Sequence, residues 1–180
     1  MSMKLMGKIS IITLLVIFIT QIVVLGPRLR KDINKKLSFK NTYAIQNVKT
    51  GKDIRVHDAG IEDGRKIILY DHKNWECITW QFIRLEDSSF LLKNLYTEKT
   101  FQPSEPPTPG VSLSQKTLGG SSLQYWEFIK QPDNTFLIRL KGTDLYVTIS
   151  SSETNSDIIL MPKENSINQQ WRLVNQTPWI

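Results

Sequence analysis

The sequence is poor in the residues on which covalent and metal-held folds depend. Its 180 residues include one cysteine, Cys77, and two histidines, His57 and His72. A disulfide framework or a zinc site built on thiolates needs at least two sulfur atoms, so this chain alone can form neither. The histidines lack the H-x-x-x-H spacing of a helical metal site, which indicates surface loop residues. We therefore expect a packed core, no metal and no cofactor.

Patterns that carry catalysis are missing as well. Cys77 stands at an apparent strand entry rather than at a helix N-terminus, so we interpret it as a packing residue. The Gly-Gly-Ser-Ser segment at 119–122 lacks the Lys-Ser/Thr that completes a phosphate-binding loop. The acidic residues are scattered over turns and give no pair of converging carboxylates. These absences predict a protein that is not an enzyme.

Positive charge is unevenly distributed along the chain. The formal net charge is +6, yet residues 1–40 hold eight Lys or Arg against one acid, Asp32. That segment therefore carries +7, and residues 41–180 carry −1. Affinity for nucleic acid scales with the number of phosphates that cations neutralise, so a near-neutral body argues against such a partner. We expect no nucleic-acid binding.

One long apolar run lies near the N-terminus. Residues 9–25 are seventeen residues without a charge, preceded by Lys4 and Lys8. This length lies between a signal-peptide core and a membrane-spanning helix, so residues 1–26 are predicted to be a signal peptide or a membrane anchor. The alternative of a buried core helix is disfavoured, because a helix that is apolar on every side has no place to pack beside a small β domain.

The residues after the apolar run bear on cleavage and orientation. Pro27 disfavours cleavage after Gly26, which keeps a retained anchor open. The basic linker, residues 27–41, would favour the cytoplasmic side by the positive-inside rule and so conflicts with export. We expect a secreted or membrane-anchored protein and favour the extracytoplasmic side for its folded part.

Three repeats occupy the remainder of the chain. Tryptophans recur at positions 80, 126 and 171, with spacings of 46 and 45 residues. Two of them stand in Q-x-W motifs that begin at Gln124 and Gln169, whereas the first copy begins with Ile78. Two sets of short β-favouring runs keep the same phase. The runs are 43–45, 90–92 and 136–138 in one set, and 67–69, 110–113 and 158–160 in the other.

The spacing of these runs indicates how the units assemble. Turn-forming segments separate them, so each unit holds about four short strands, and helical periodicity is absent after residue 41. A propeller with repeats of this length needs more than three copies, and an open solenoid needs distinct capping units. Three units that close on a threefold axis fit the pattern better.

Three Q-x-W-type repeats at this spacing resemble the β-trefoil of ricin B-type lectin domains. The resemblance covers residues 42–180 and implies an all-β fold, a six-stranded barrel capped by three hairpins, after the apolar N-terminal helix or signal segment. It also implies that Trp80, Trp126 and Trp171 pack in the cores of their lobes rather than contact a ligand.

The resemblance implies a sugar site for each complete lobe. The family uses an Asp in the second strand, an aromatic platform in the third, and an Asn before the Gln of Q-x-W. The carboxylate and the amide bind neighbouring hydroxyl groups of the sugar, and the aromatic ring covers its apolar face. In the first lobe Arg55 takes the Asp position, Ile68 the polar position and Cys77 the Asn position, so only the platform, Tyr70, remains.

The other two lobes are incomplete as well. Gln102 stands at the Asp position of the second lobe, where Ser114 replaces the platform, and Tyr146 aligns with the Asp position of the third. Asp53 and Asp144 each lie two residues from an expected carboxylate, which leaves room for a displaced site, although a solvated turn Asp is the interpretation we favour. The resemblance implies an altered lectin site whose ligand-binding candidates are Tyr70, Asp144, Tyr146, Asn168 and Gln169.

A small exported chain with one degenerate trefoil also resembles the A and C accessory subunits of the cytolethal distending toxins. That resemblance, one of architecture alone, implies binding to host cell surfaces and to partner subunits. Trp75 and Trp179 fit no core position and are the interface candidates. Two functions remain open: a lectin-like module or toxin delivery subunit that binds a cell-surface glycan or glycoprotein, and a membrane-anchored structural subunit that binds a partner protein and no sugar.

Overall fold

A computed structural model describes residues 41–178. The predicted signal peptide or anchor, nearly all of the basic linker and the interface candidate Trp179 lie outside these residues. Within the described part, no helix is long and apolar enough to cross a membrane. The regular structure there is β-strand with four single-turn 3-10 helices, which confirms the all-β prediction for this region.

Twelve strands form three lobes of four strands each. The first lobe contains β1 (Thr42–Asn47), β2 (Asp53–Val56), β3 (Ile67–Tyr70) and β4 (Thr79–Arg84). The second contains β5 (Phe90–Asn94), β6 (Thr100–Pro103), β7 (Leu113–Lys116) and β8 (Tyr125–Lys130). The third contains β9 (Phe136–Leu140), β10 (Leu145–Ile149), β11 (Ile158–Pro162) and β12 (Trp171–Asn175).

The first and fourth strands of the lobes close a six-stranded barrel. All its pairs are antiparallel, β1 with β4, β4 with β5, β5 with β8, β8 with β9, β9 with β12, and β12 with β1. The second and third strands of each lobe pair as a hairpin, β2 with β3, β6 with β7, and β10 with β11. A closed barrel with three hairpins is the β-trefoil, so the predicted fold is confirmed.

The three repeated tryptophans belong to one hydrophobic core. Trp80, Trp126 and Trp171 are fully buried, as predicted. The indole Nε1 of Trp80 donates to the Ile54 carbonyl at 3.1 Å, and that of Trp171 donates to the Val147 carbonyl at 3.0 Å. These two indoles connect their barrel strands to the second strand of the same lobe, whereas the buried Nε1 of Trp126 has no hydrogen-bond partner in the structure. Because all three indoles are buried, they belong to the scaffold. Cys77 is also buried and packs with Ala44 and Ile78, as a packing residue should.

The third strand of the second lobe differs from its prediction. A strand was expected at 110–113, but β7 spans Leu113–Lys116. Gly110 adopts a φ of 89°, and Ser112 makes only an isolated bridge to Ile159. The proline-rich segment before Gly110 ends in this turn, and pairing with β6 begins only after it, which moves the strand three residues along the chain.

An open apolar cavity lies at one end of the barrel. Its volume is about 380 Å³, and its lining includes Tyr43, Phe82, Phe90, Phe128 and Phe136. Phe82 and Phe128 have ring centroids 4.9 Å apart, and Phe90 meets Phe128 edge to face at 5.6 Å. This end of the barrel is therefore held by packed aromatic rings.

Candidate binding site

The tryptophan bonds define equivalent positions in the first and third lobes. Ile54 and Val147 accept the same indole bond, so Arg55 of the first lobe corresponds to Thr148 of the third. The hairpin registers agree, because Arg55 faces Ile68 and Thr148 faces Ile159. Tyr146, which the sequence placed at the Asp position, is two residues too early, and that assignment is wrong.

The reason for this error is visible in β10. All five residues of this strand, Leu145–Ile149, are buried. A strand buried on both faces has no polar and apolar alternation, so its pattern does not reveal which side chain faces the hairpin. The bond from Trp171 and the pairing of β10 with β11 show the register that the sequence pattern does not.

In the second and third lobes, the residue equivalent to Arg55 accepts a hydrogen bond from the Q-x-W glutamine. The Q-x-W residue Gln124 donates from Nε2 to Oε1 of Gln102 at 3.1 Å, and Gln169 donates from Nε2 to Oγ1 of Thr148 at 3.0 Å. Each glutamine also accepts a backbone N–H of the loop after the third strand, from Gly119 in one lobe and from Glu164 in the other. The two glutamines thus tie that loop to the hairpin.

The predicted ligand residues of the third lobe do not form one cluster. Gln169 is fully buried and Tyr146 is 6% exposed. The Asn168 amide oxygen accepts from Lys49 Nζ at 3.1 Å. The Asp144 side chain is 97% exposed, with Oδ1 at 3.8 Å from Nη1 of Arg139, which agrees with a solvated turn residue. The roles assigned to these residues in ligand binding stay predictions.

The first lobe has a different arrangement because Ile78 replaces the glutamine. Ile78 is buried and offers no amide to position 55. The Arg55 guanidinium instead lies over the Tyr70 ring, with its carbon 4.1 Å from the ring centroid, and 5.6 Å from the centroid of Trp75. The two rings are 6.4 Å apart and tilted by 35°. Arg55, Tyr70 and Trp75 thus form a cation–π cluster, here called the Arg55 cluster.

The guanidinium of this cluster has hydrogen-bonding capacity left over. Arg55 Nε is buried and has no hydrogen-bond partner in the structure. No ion pair with a carboxylate forms at Arg55 within residues 41–178. A half-buried cation fixed by aromatic contact and lacking a counter-charge is able to receive an anionic group.

A buried carboxylate lies two residues before Arg55. The Asp53 side chain is fully buried; its Oδ2 lies 2.8 Å from His72 Nδ1, and its Oδ1 accepts from Gln46 Nε2 at 3.2 Å. Burial is the largest influence and raises the pKa of Asp53 to about 6, while His72 acts in the opposite direction. The expectation of a solvated turn Asp is therefore wrong for Asp53.

The Asp53–His72 pair connects the hairpin of the first lobe to the loop after β3, as the Q-x-W glutamine does in the other two lobes. His72 belongs to the loop after β3, which corresponds to the loops held by Gln124 and Gln169. Sequence reasoning missed this pair because its partners are 19 residues apart and match no known spacing. The absence of Gln at position 78 is the one sequence signal that the first lobe needs a different tie.

An apolar groove adjoins the Arg55 cluster. Its volume is about 280 Å³, and it is lined by Ala59, Trp75, Glu76, Cys77 and Tyr96. Tyr96 is 49% exposed. Trp75, an interface candidate from the sequence, borders both the groove and the cluster, so one indole connects the two surfaces. No group of His, Cys, Asp and Glu suited to a metal ion occurs in the described part of the chain.

Comparison with known proteins establishes the fold and does not extend to a sequence family. No protein-family model matches the chain, and no curated protein matches it significantly. Among solved structures, the designed threefold symmetric protein ThreeFoil matches with a TM-score of 0.72 and 21% identity, over 75% of this chain and 99% of that one.

Lectins and a toxin are also among the structural neighbours. A ricin B-like lectin of Macrolepiota procera, solved with lactose, has a TM-score of 0.65 and 19% identity, over 74% of this chain and 94% of the lectin. The cytolethal distending toxin of Haemophilus ducreyi matches with a TM-score of 0.66 and 14% identity, over 78% of this chain and 87% of the toxin chain. The structural neighbours are thus ricin B-like lectins and other β-trefoil proteins, including a cytolethal distending toxin subunit.

One neighbour is an enzyme. The exo-β-1,3-galactanase 1,3Gal43A of Clostridium thermocellum matches with a TM-score of 0.70 and 20% identity, over 76% of this chain but only 30% of that one. The shared part is therefore a fraction of the larger protein, and the likeness is one of fold.

Proposed function

We propose that this protein is a non-enzymatic, lectin-like binding module that recognises a cell-surface glycan or glycoprotein through its first lobe. The observation that carries the proposal is the contrast between lobes. In two lobes, Gln124 or Gln169 donates a hydrogen bond to the residue equivalent to Arg55. The first lobe has no such bond, and Arg55, Tyr70 and Trp75 form a half-buried cluster there. Aromatic rings beside a polar group are the usual elements of sugar recognition.

The distribution of acids supports a binding role rather than hydrolysis. A glycosidase requires two carboxyl groups that face each other across the scissile bond. Lys99 donates to Asp63 and Lys141 donates to Asp87, and these hydrogen bonds are the main reason that both carboxyl groups have a pKa well below the usual range. Acids held ionised on exposed turns by lysines are poor proton donors, and Asp53 is committed to His72.

The proposal is tested by a glycan array probed with the full-length chain in a mild detergent. Tyr70→Ala removes the ring under Arg55 and is expected to lower the signal at least tenfold. Met161→Ala is the matched control, because Met161 faces Tyr146 in the third lobe as Tyr70 faces Asp53 in the first. Loss of signal in both variants, or in neither, would move the site away from the first lobe.

The proposal includes the location of the module. Residues 1–26 would direct the chain to the membrane as a signal peptide or anchor, and the linker 27–41 would hold the trefoil on the extracytoplasmic side. N-terminal sequencing of the protein from its native host shows whether residues 1–26 are removed. Digestion of intact cells with added protease shows whether the trefoil is outside, and a protected trefoil would contradict the proposed location.

A second candidate is a structural subunit, membrane-anchored or part of a toxin assembly, that binds a partner protein and no sugar. The groove beside Trp75 and the exposed Tyr96 favour it, because aromatic side chains at a groove are frequent in protein interfaces. The glycan array separates the candidates: saturable binding that a free sugar competes away supports the lectin, and a folded protein without any glycan signal supports the subunit.

A further inference from the structure

We propose that the Arg55 cluster recognises an anionic saccharide, one that carries a carboxylate or a sulfate ester, with Arg55 as the charge partner. This inference rests on the proposed function, since it assumes that the first lobe binds a glycan. It goes further by naming the chemical class of the ligand and the side chain that selects it.

The aromatic platform of the first lobe, Tyr70, is already covered by Arg55. A neutral sugar stacks its apolar C–H face on an aromatic ring. In this protein the guanidinium of Arg55 lies on the Tyr70 ring, 4.1 Å from its centroid. A pyranose cannot occupy the same face, so the part of Tyr70 that would bind a neutral sugar presents a cation instead.

The hydrogen-bonding groups of Arg55 suit an anion with two oxygens. A guanidinium offers a planar fork of N–H donors that matches the two oxygens of a carboxylate or a sulfate. Arg55 forms no ion pair with any residue from 41 to 178, and its Nε–H lacks an acceptor. No intramolecular bond to the guanidinium therefore has to break before an anion engages it, and contact with two rings limits its motion.

Two acids close in sequence to Arg55 and Tyr70, namely Asp53 and Asp71, have other partners. Asp53 is buried and directed at His72. Asp71 accepts from Thr154 Oγ1 at 3.1 Å and lies 3.8 Å from Lys52 Nζ. Neither carboxylate forms an ion pair with Arg55, so the positive charge of the cluster is available to a ligand.

The three lobes then predict a single site. The residues equivalent to Arg55 are Gln102 and Thr148, which are neutral and hydrogen-bonded to their Q-x-W glutamines. An anionic saccharide should therefore bind with one molecule per chain. A threefold symmetric lectin would bind up to three.

The experiment measures affinity for three matched oligosaccharides with the full-length chain in a mild detergent. One is a neutral galactoside, the second has the same core with a terminal sialic acid, and the third has that core with a sulfate ester. We expect at least one acidic form to bind tenfold or more tightly than the neutral one, and the two acidic arms distinguish carboxylate from sulfate.

Two variants at position 55 test the role of the guanidinium. Arg55→Gln, which copies the residue of the second lobe, should remove most of the preference for the acidic form. Arg55→Lys keeps the charge but not the fork, so its preference should be intermediate. Thermal unfolding of each variant checks that the fold is retained.

The basic N-terminal region needs its own control, because it attracts any polyanion. A variant with Lys35→Gln and Lys36→Gln lowers that charge and should keep the preference for the acidic form. If this variant loses the preference while Arg55→Gln keeps it, the inference is overturned. Equal binding of the neutral and acidic forms overturns it as well but leaves the proposed function in place, whereas a folded protein that gives no signal on the glycan array overturns both.

Discussion

At the scale of single residues, Asp53 is notable because its carboxyl group is fully buried. Burial raises its pKa to about 6, against an ordinary value near 4. The folded protein therefore holds the Asp53 proton more strongly than the unfolded chain does. Stability from the protonated form is fully present below about pH 4 and is lost as the pH rises through about 6.

Asp53→Asn should remove this dependence on pH. We expect the variant to gain up to about 3 kcal/mol relative to the parent between pH 4 and pH 7.5, which corresponds to about two pKa units. Urea unfolding at a series of pH values measures the difference. Asp133 is a control of opposite sign, because hydrogen bonds from Thr135 lower its pKa. Asp133→Asn should therefore be less stable than the parent at neutral pH and equally stable in acid. If the stability difference between Asp53→Asn and the parent does not change with pH, the burial argument is contradicted.

At the scale of elements, the glutamine of Q-x-W is a tie between a loop and a hairpin. Gln169 is fully buried, its Oε1 accepts from the Glu164 N–H at 2.8 Å, and its Nε2 donates to the Pro162 carbonyl at 2.8 Å. The loop 163–166 has few other anchors in the structure as described. Removing the amide leaves buried groups unpaired, which costs about 1–3 kcal/mol.

Gln169→Ala should therefore destabilise the protein by about 1–3 kcal/mol and expose the Glu164 amide to exchange. Hydrogen exchange followed by NMR measures both effects. The Gly119 amide, which donates to Gln124 in the second lobe, is the internal reference. Protection at Glu164 that survives the substitution would show that another group holds the loop.

The elements also show how far sequence reasoning reaches. The barrel strands were predictable, since large side chains such as Trp80 and Phe90 repeat in phase and have to be buried. The register of β10 was not, because all its residues are buried and the alternation vanishes. For the candidate site, Tyr70 was predicted as a ligand-binding residue and Trp75 as an interface residue, and both roles stay predictions. The contact of Arg55 with their rings was not predicted, because it depends on the absence of a glutamine at position 78, which is a tertiary effect.

At the scale of the whole molecule, closure of the barrel depends on its first and last strands. β1 pairs with β12 from Tyr43 opposite Asn175 to Asn47 opposite Trp171. Contacts between residues so far apart in sequence form late and cooperatively. The stability of the trefoil is therefore expected to be a property of all three lobes together.

Deletion of residues 171–180 removes β12 and the Trp171 indole, and should abolish cooperative unfolding. The loss of a fully buried tryptophan alone costs about 3–5 kcal/mol, which is a large part of the stability of a domain of this size. Calorimetry of the full chain and of the shortened chain tests this. A Glu105→Gln substitution in the exposed loop after β6 is a mild control, and a sharp transition in the shortened chain would show that two lobes suffice.

The placement of the indoles gives the protein an optical reporter. Trp80, Trp126 and Trp171 are fully buried in the core, whereas Trp75 is half-buried beside the guanidinium of Arg55. With Trp179→Phe as background, a change in emission on adding a small quencher or a ligand would arise chiefly from Trp75. The core indoles supply a constant blue-shifted signal against which that change can be read, so occupancy of the first lobe is measurable without any label.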